Sequence, residues 1–193
     1  MTTLARHAAL TAPMTDALVE PVGLLDRLRQ GDAAALAQVA RHYSDRLARV
    51  AYLHLSDAHA AEDVTQEALI AAWDAAARTR QVTPLWPWLL GILFNRCRTH
   101  LRGLSRRRRR ERAAHELRLS HVETETAVDD RVEHVRHALA GLSEPLRCVV
   151  ILRFEQSLSV ADTAAALGVP EGTVKRRCHD ALNQLRDALR ATP

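Results

Sequence analysis

Apolar residues recur at intervals of three and four along most of the chain, which is the spacing of one face of an α-helix. The first stripe, Leu24, Leu25 and Leu28, ends at Gly31. Asp32 follows, and its carboxylate can cap the start of a longer helix. The apolar positions of that helix are Leu36, Val39, Tyr43, Leu47, Val50 and Leu53–Leu55. The pattern therefore predicts a short helix followed by a long one, with Ser56 and Asp57 at the next boundary.

Two further helices are predicted before residue 112. A third helix runs from about Ala58 to Arg78, and a fourth starts near Pro84–Pro87, since proline is tolerated in a first helical turn. The inner positions of the third helix are Val64, Ala68, Ala71 and Ala72, with Trp73 beside them. The apolar stripe of the fourth helix is Trp88, Leu89, Ile92, Leu93 and Leu101. Four helices with short connections predict one compact bundle.

Residues 103–130 lose the apolar stripe and are rich in charge, which is typical of a linker. The helical pattern returns near Arg131, and a last helix is predicted from about Glu171 to Leu189. We therefore predict an all-α protein of two small helical domains joined by a charged linker. The predicted boundaries are a mobile tail at 1–20, a first domain at 21–112, a linker at 113–130 and a second domain at 131–193.

Composition agrees with this helical interpretation. Hydrophobic residues make up 47% of the 193 residues, and because Ala and Leu supply most of them while Gly and Pro number 7 each, helix formers dominate. The three cysteines are widely separated, which argues against a disulfide scaffold or a self-contained zinc site. The longest apolar run, Trp88–Phe94, is far too short to span a bilayer. We predict a soluble, cytoplasmic protein without membrane insertion, bound metal or other cofactor.

Charge is unevenly distributed along the chain. The formal net charge is only +4, but seven arginines lie between Arg102 and Arg112, and an acidic stretch from Glu123 to Asp130 follows. Such a pattern predicts that the basic stretch contacts a polyanion and that the acidic stretch avoids or imitates one. The run Arg106–Arg110 either contacts phosphates without sequence preference or is a solvated helix end.

The segment from Ser159 to His179 has the form of a helix-turn-helix. Ser159 can cap a short helix, Gly168-Val169-Pro170 turns the chain, and a second helix with a polar leading end follows. At about 100° per residue, one side of that helix carries apolar residues and the other side polar ones. The apolar side holds Val174, Cys178, Ala181, Leu182 and Leu185, and the polar side holds Thr173, Arg176, His179 and Asp180. An ordinary helical hairpin with a solvated charged face is the alternative.

Two parts of the chain resemble a known family. Residues 142–185, with Gly172-Thr173-Val174-Lys175 at the head of the last helix, resemble region 4 of sigma factors of the extracytoplasmic-function type. Ala61-Glu62-Asp63-Val64-Thr65-Gln66-Glu67-Ala68-Leu69 followed by Trp73 resembles the polymerase-binding part of region 2, and Trp88-Leu89 followed by Ile92 and Asn95 resembles its promoter-melting part. The resemblance covers most of the chain, and two matched halves in the right order are more specific than one motif.

The resemblance implies which partners the chain has. Core RNA polymerase, through its β′ and β subunits, and promoter DNA are expected, and an anti-sigma factor is expected as inhibitor. Polymerase binding is assigned to Asp63, Gln66 and Glu67. Like charges four residues apart slightly destabilise an isolated helix, so this face gains from a basic partner, although a solvated acidic face is the alternative.

Promoter reading is assigned to the two basic surfaces. By resemblance Asn95 contacts an extruded base of the minus-10 element, with Arg96, Arg98 and Arg102 near the phosphates, while Trp88 is largely structural and Trp86 lies beside it. Minus-35 reading is assigned to Thr173, Lys175, Arg176, Arg177 and His179. Thr99 and Asp180 depart from the usual family residues, so a phosphate contact is lost at Asp180 or a cytosine amino group is read instead. The acidic linker either imitates nucleic acid or is a plain tether.

Two other functions fit the sequence less well. An enzyme is disfavoured because the chain has no phosphate-binding glycine loop, and His115-Glu116 fails as a zinc-protease motif with Leu119 at the fifth position. A stand-alone helix-turn-helix regulator would need no polymerase, but it would have no use for the acidic face together with Asn95. We therefore predict a transcription initiation factor with no catalytic residues.

Overall fold

The computed structural model of the chain describes residues 23–79, 84–114 and 137–191. All regular secondary structure in these ranges is helical, which confirms the predicted all-α class. The predicted tail and the predicted linker, apart from residues 113 and 114, lie outside the described residues.

The first half of the chain contains four helices: α1 (Leu24–Arg29), α2 (Ala33–Leu55), α3 (Ala58–Ala76) and α4 (Leu85–Ala114). In the second half, residues 137–140 are helical and precede α5 (Glu144–Val150). This helix continues directly into a π-helix (Ile151–Glu155). The helix-turn-helix pair follows as α6 (Val160–Leu167) and α7 (Glu171–Ala191).

Side-chain caps fix the starts of several helices where the sequence predicts them. An Asp32 carboxylate oxygen accepts a hydrogen bond from the backbone N–H of Ala34 at 2.8 Å, and Asp57 accepts one from Ala60 at 3.0 Å. Ser159 caps α6 by accepting from the backbone N–H of Asp162 at 3.0 Å. Each cap satisfies a donor that the first helical turn leaves unpaired. Gly168 ends α6 with a left-handed φ of 63°, a conformation that suits glycine.

The two halves share one hydrophobic core. Its buried side chains run from Leu24 and Tyr43 in the first half to Leu152 and Ala181 in the second. Tyr43 stacks on Trp86 with ring centroids 5.5 Å apart, and this pair lies within the same cluster. A smaller cluster of Val149, Ala164 and Val174 holds the helix-turn-helix together. The chain therefore has two helical units packed against one another.

Polar contacts also join the halves. Arg49, only 8% exposed, pairs with Glu155 at 3.1 Å, and Arg46 donates to the side-chain oxygen of Gln156 at 3.3 Å. Arg147 donates from α5 to the backbone oxygen of His54 at 2.7 Å. Since a buried guanidinium is costly without a partner, Arg49 indicates that this packing is specific.

Gly91 brings α4 and α6 close together. A methyl group at this position would lie 2.7 Å from the backbone oxygen of Ala166, which is shorter than a van der Waals contact. Glycine in a helix interior costs helix stability relative to alanine. The close approach of α6 explains why position 91 is a glycine.

One predicted face needs correction. Leu182 was expected on the buried side of the last helix, but it is 41% exposed, whereas Val174 and Ala181 are fully buried. Leu182 lies about 100° from Ala181 around the helix, so it falls at the edge of the stripe and beyond its packing partners. Among the described residues, no helix is both long enough and apolar enough to span a membrane.

Candidate nucleic-acid interface

The helix-turn-helix presents a basic surface on α7. Val174 and Ala181 are buried against the rest of the second half, which leaves Lys175, Arg176 and His179 exposed. Thr173 and Arg177 are half-buried at the edges of the same surface. The predicted minus-35 residues are thus placed together at the leading end of the helix. A polar leading end of a second helix is the part that enters a major groove in this motif.

His179 has a partner on its own helix. Its Nε2 lies 3.0 Å from the side-chain nitrogen of Asn183, whose oxygen in turn accepts from Arg186 at 3.0 Å. This chain of contacts holds the imidazole along the helix. Lys175 and Arg176 are exposed on the same surface.

The acidic surface on α3 is exposed as the sequence predicts. Asp63, Gln66 and Glu67 face outward, while Val64 and Ala68 on the opposite side are buried. Ile70 lies seven residues after Asp63 on the same face and is 64% exposed. Sequence reasoning missed Ile70, although an apolar residue outside the inner stripe was a usable signal. The surface is an acidic face with an exposed apolar residue one turn further along the helix.

The predicted minus-10 residues lie together on α4. Asn95, Arg96 and Arg102 are exposed and Arg98 is half-buried. The Arg98 guanidinium is 3.5 Å from the Asn95 side-chain oxygen, and its Nε is 3.4 Å from Glu144 on α5. Asn95, Arg98 and Arg102 share one face because they are three and four residues apart.

Thr99 and the two tryptophans of α4 make contacts within the protein. The Thr99 hydroxyl donates to the backbone oxygen of Asn95 at 3.0 Å, so it bonds within its own helix. Trp86 stacks on Tyr43 and carries the Arg46 guanidinium 4.1 Å above its ring. Trp88 is 9% exposed and belongs to the core. Trp86 therefore has no open ring face for stacking a base.

A cleft of about 330 Å³ lies between α4 and α6. Pro87, Trp88, Gly91, Ile92 and Asn95 form one wall, and residues 165–168 form the other. The face that carries Asn95 is therefore covered in part by the first helix of the helix-turn-helix.

The arginine tract continues α4. Arg106 and Arg107 are exposed, and the Nε of Arg106 lies 3.4 Å from the backbone oxygen of Arg102. The side chains of Arg108–Arg110 lie outside the described residues.

Family models match both halves of the chain. Sigma-70 region 2 matches residues 39–107, and sigma-70 region 4 matches residues 138–187. The chain belongs to the sigma-70 family. Among curated relatives, this sigma factor is 34% identical to the extracytoplasmic-function sigma factor SigM of Mycobacterium tuberculosis (strain H37Rv) over 148 residues, which are 77% of this chain and 74% of SigM. It is 28% identical to the sigma-H factor of Pseudomonas aeruginosa, with 86% of this chain and 92% of that protein covered.

Solved structures agree with this assignment to the extracytoplasmic-function type. CnrH, solved in complex with the cytosolic domain of CnrY, matches with a TM-score of 0.66 at 25% identity, covering 88% of this sigma factor and 97% of CnrH. RpoE of Bartonella quintana, solved with the anti-sigma factor NepR, matches with a TM-score of 0.65 at 25% identity, covering 81% and 98%. The protein is thus a transcription initiation factor that acts with RNA polymerase at promoters, and a stand-alone regulator is not favoured.

The packing between the halves was missed by sequence reasoning. Its polar contacts include Arg49 with Glu155 and Arg147 with the backbone oxygen of His54. His54 interrupts the apolar run Val50–Leu55, and a polar residue inside such a run is the signal that could have marked a buried contact. Periodicity gave no indication of its partner, since residues 54 and 147 belong to different halves.

Proposed function

We propose that this sigma factor binds core polymerase through the acidic face of α3 and reads promoters through α4 and α7. The single observation that carries the proposal is that Asp63, Asn95 and Arg176 are each exposed on a helix whose opposite face is buried. A charged helix face that is not buried in the core is available for binding a partner.

Polymerase binding uses Asp63, Gln66 and Glu67. The two carboxylates repel one another at a separation of four residues, and a basic partner surface on β′ relieves this repulsion. The exposed Ile70 supplies apolar area beside these residues. Charge then sets the orientation of docking, and the apolar side chain contributes burial.

Minus-10 recognition uses Asn95, Arg96, Arg98 and Arg102. An amide side chain offers both a donor and an acceptor to the edge of an unstacked base, and guanidinium groups neutralise the backbone beside it. Arg98 already lies beside the Asn95 oxygen, which orients the amide.

Minus-35 recognition uses Thr173, Lys175, Arg176, Arg177 and His179. Arg176 is exposed on the face opposite the buried Val174, so its guanidinium is placed to read a base edge in the major groove. Lys175 and Arg177 flank it and serve the phosphates.

An anti-sigma factor is the proposed inhibitor, and the domain boundaries at 21–112 and 131–193 are the proposed functional units. Support for the inhibitor comes from RpoE, which was solved bound to one. The protein is proposed to work in the cytoplasm, where polymerase and chromosome meet, and without catalytic activity of its own.

Run-off transcription tests the proposed function. Core polymerase with the purified chain should produce a defined transcript from the gene's own upstream region, and core polymerase alone should not. A template with that region scrambled is the control for promoter selection. A chain that binds the region without polymerase and yields no transcript would overturn the proposal in favour of a stand-alone regulator.

A further inference from the structure

Three side chains with metal-ligating atoms meet where the two halves pack. The thiol sulfur of Cys148 lies 3.9 Å from Nδ1 of His54 and 3.5 Å from a carboxylate oxygen of Glu144. All three ligand atoms lie within 4.8 Å of one another. His54 and Cys148 are buried, and Glu144 is half-buried at the edge of the cluster.

The fold holds these groups in place from both sides. His54 belongs to the last turn of α2, while Glu144 and Cys148 are one turn apart on α5. Arg147, between them in sequence, donates to the backbone oxygen of His54 at 2.7 Å and so fixes α5 against the end of α2. The ring of His54 packs edge-to-face on Phe94 at 5.1 Å. The ligand atoms are therefore brought together by the packing of the two halves and not by sequence spacing.

The separations suit a tetrahedral ion. Zinc bonds of about 2.0 Å to nitrogen or oxygen and about 2.3 Å to sulfur place the ligand atoms of such a set about 3.3–3.5 Å apart. The sulfur lies 3.5 Å from the carboxylate oxygen and 3.9 Å from the imidazole nitrogen, and all three ligand atoms lie within 4.8 Å of one another, so zinc binding draws them slightly closer together. A mixed set of sulfur, nitrogen and oxygen favours zinc or cobalt over magnesium or calcium, which prefer oxygen.

His54 is fully buried, and its Nδ1 is the ring nitrogen that faces the Cys148 sulfur. The other ring nitrogen, Nε2, has no hydrogen-bond partner among the described residues.

We propose that His54, Glu144 and Cys148 form a site for a zinc-type divalent metal that ties α2 to α5. Solvent beside the half-buried Glu144 supplies the fourth ligand, as in sites with three protein ligands. The sequence predicts no self-contained zinc site, and this one forms only when the two halves are packed.

Binding has a defined proton balance. The S–H bond of Cys148 breaks, its proton leaves to the buffer, and a sulfur–metal bond replaces it. Burial and the neighbouring Glu144 carboxylate raise the pKa of the Cys148 thiol and oppose this step, while the Arg98 guanidinium acts in the other direction. Arg98 contacts Glu144 through its Nε at 3.4 Å, a long and therefore weak contact that the carboxylate can leave. Affinity should accordingly rise with pH as the thiol loses its proton more easily.

Zinc titration of the full-length chain tests the site. Calorimetry should show one zinc ion bound per chain with release of a proton, and cobalt should give the absorption of a thiolate-bound ion. Cys148→Ser should weaken binding at least tenfold, whereas Cys178→Ser, on α7 outside the cluster, should bind like the wild type. Magnesium should not bind at the same concentrations.

Two further variants keep the test decisive if Cys148→Ser fails to fold by circular dichroism. Glu144→Gln changes a half-exposed ligand and should weaken zinc binding, while Glu171→Gln, at the exposed start of α7, should not. Zinc should also raise the thermal midpoint of the wild type, because a ligand bound to the packed form stabilises it. The proposal is overturned if a folded wild type binds no zinc below about 100 µM, or if binding survives both Cys148→Ser and Glu144→Gln. Neither result would affect the proposed sigma activity, which run-off transcription measures separately.

Discussion

Asn95 lies exposed on α4, with its side-chain oxygen 3.5 Å from Arg98. We expect Asn95→Ala to leave closed promoter complexes intact and to slow their opening, because a contact to an extruded base forms only after the base has unstacked. Permanganate reactivity of thymines in the minus-10 region measures the opening directly.

Ser105→Ala is the matched control for Asn95→Ala. Ser105 is exposed on the same helix but lies outside the proposed minus-10 residues, so opening should match the wild type. If Asn95→Ala opens as fast and as completely as the control, Asn95 does not belong to the site.

Arg176 is exposed on α7, opposite the buried Val174. We expect Arg176→Ala to cost about 1–3 kcal/mol of binding on the cognate minus-35 element and much less on scrambled DNA, because a base-edge contact is sequence-selective. Fluorescence anisotropy of the polymerase holoenzyme with the two duplexes measures the difference.

Gln184→Ala, a change at another exposed residue of α7, should leave both affinities unchanged. Equal losses for Arg176→Ala on cognate and scrambled duplexes would make Arg176 a phosphate contact. The base-reading role would then pass to Lys175, Arg177 or His179.

At the residue scale, the sequence predicted exposure better than it predicted contacts. The charged residues Asp63, Glu67 and Arg176 were expected on outward faces and lie there, because each opposes an apolar stripe. The predicted burial of Leu182 was wrong. Leu182 lies at the edge of the apolar stripe, where burial depends on how far the neighbouring helix extends. The buried pairing of Arg49 with Glu155 was not predictable, because the two residues are 106 positions apart.

At the scale of elements, helix starts were predictable because capping is local. Asp32, Asp57 and Ser159 each cap the helix that the sequence assigned to them. The π-helix Ile151–Glu155 was not predicted, since its wider turn leaves no periodic signal of its own. It carries Phe154, which is 53% exposed, and Glu155, which faces Arg49.

The acidic face of α3 is expected to act as a unit. Replacing Asp63 and Glu67 with Lys should weaken binding to core polymerase without changing helical content, because both side chains are exposed and make no part of the core. A pull-down with core polymerase, alongside circular dichroism, measures both properties.

A control with the same change in net charge separates docking from general electrostatics. Asp45 and Asp187 are exposed on other helices, so Asp45→Lys with Asp187→Lys should retain polymerase binding. Equal affinity of wild type and the Asp63/Glu67 variant would rule out docking through α3, and equal losses in both variants would assign the effect to net charge.

At the scale of the whole molecule, the sequence predicted two helical units but not their packing. Periodicity identifies which face of a helix is buried and is silent on which other helix covers it. The shared core and the polar contacts between the halves join residues that are far apart in sequence, from 46 positions for Arg98 and Glu144 to 110 for Arg46 and Gln156. The packing matters for the proposed minus-10 face, because α6 lies opposite it across the cleft beside Asn95.

Gly91 gives a direct test of this packing. A methyl group there would lie 2.7 Å from the backbone oxygen of Ala166, and a backbone atom cannot yield as a flexible side chain can. We therefore expect Gly91→Ala to separate the halves in the free chain while stabilising α4 itself by about 1 kcal/mol, since alanine is the better helix former.

Gly103→Ala is the matched control, because it has the same helix-forming advantage on α4 with nothing within 4 Å of the added methyl group. Small-angle scattering should show a larger radius of gyration for Gly91→Ala than for Gly103→Ala, and hydrogen exchange should rise in α6. Core polymerase should bind the Gly91→Ala chain at least as tightly as the wild type, because the α3 face is unchanged. Identical scattering from the two variants would mean that α6 accommodates the methyl group and that Gly91 does not control the packing of the halves.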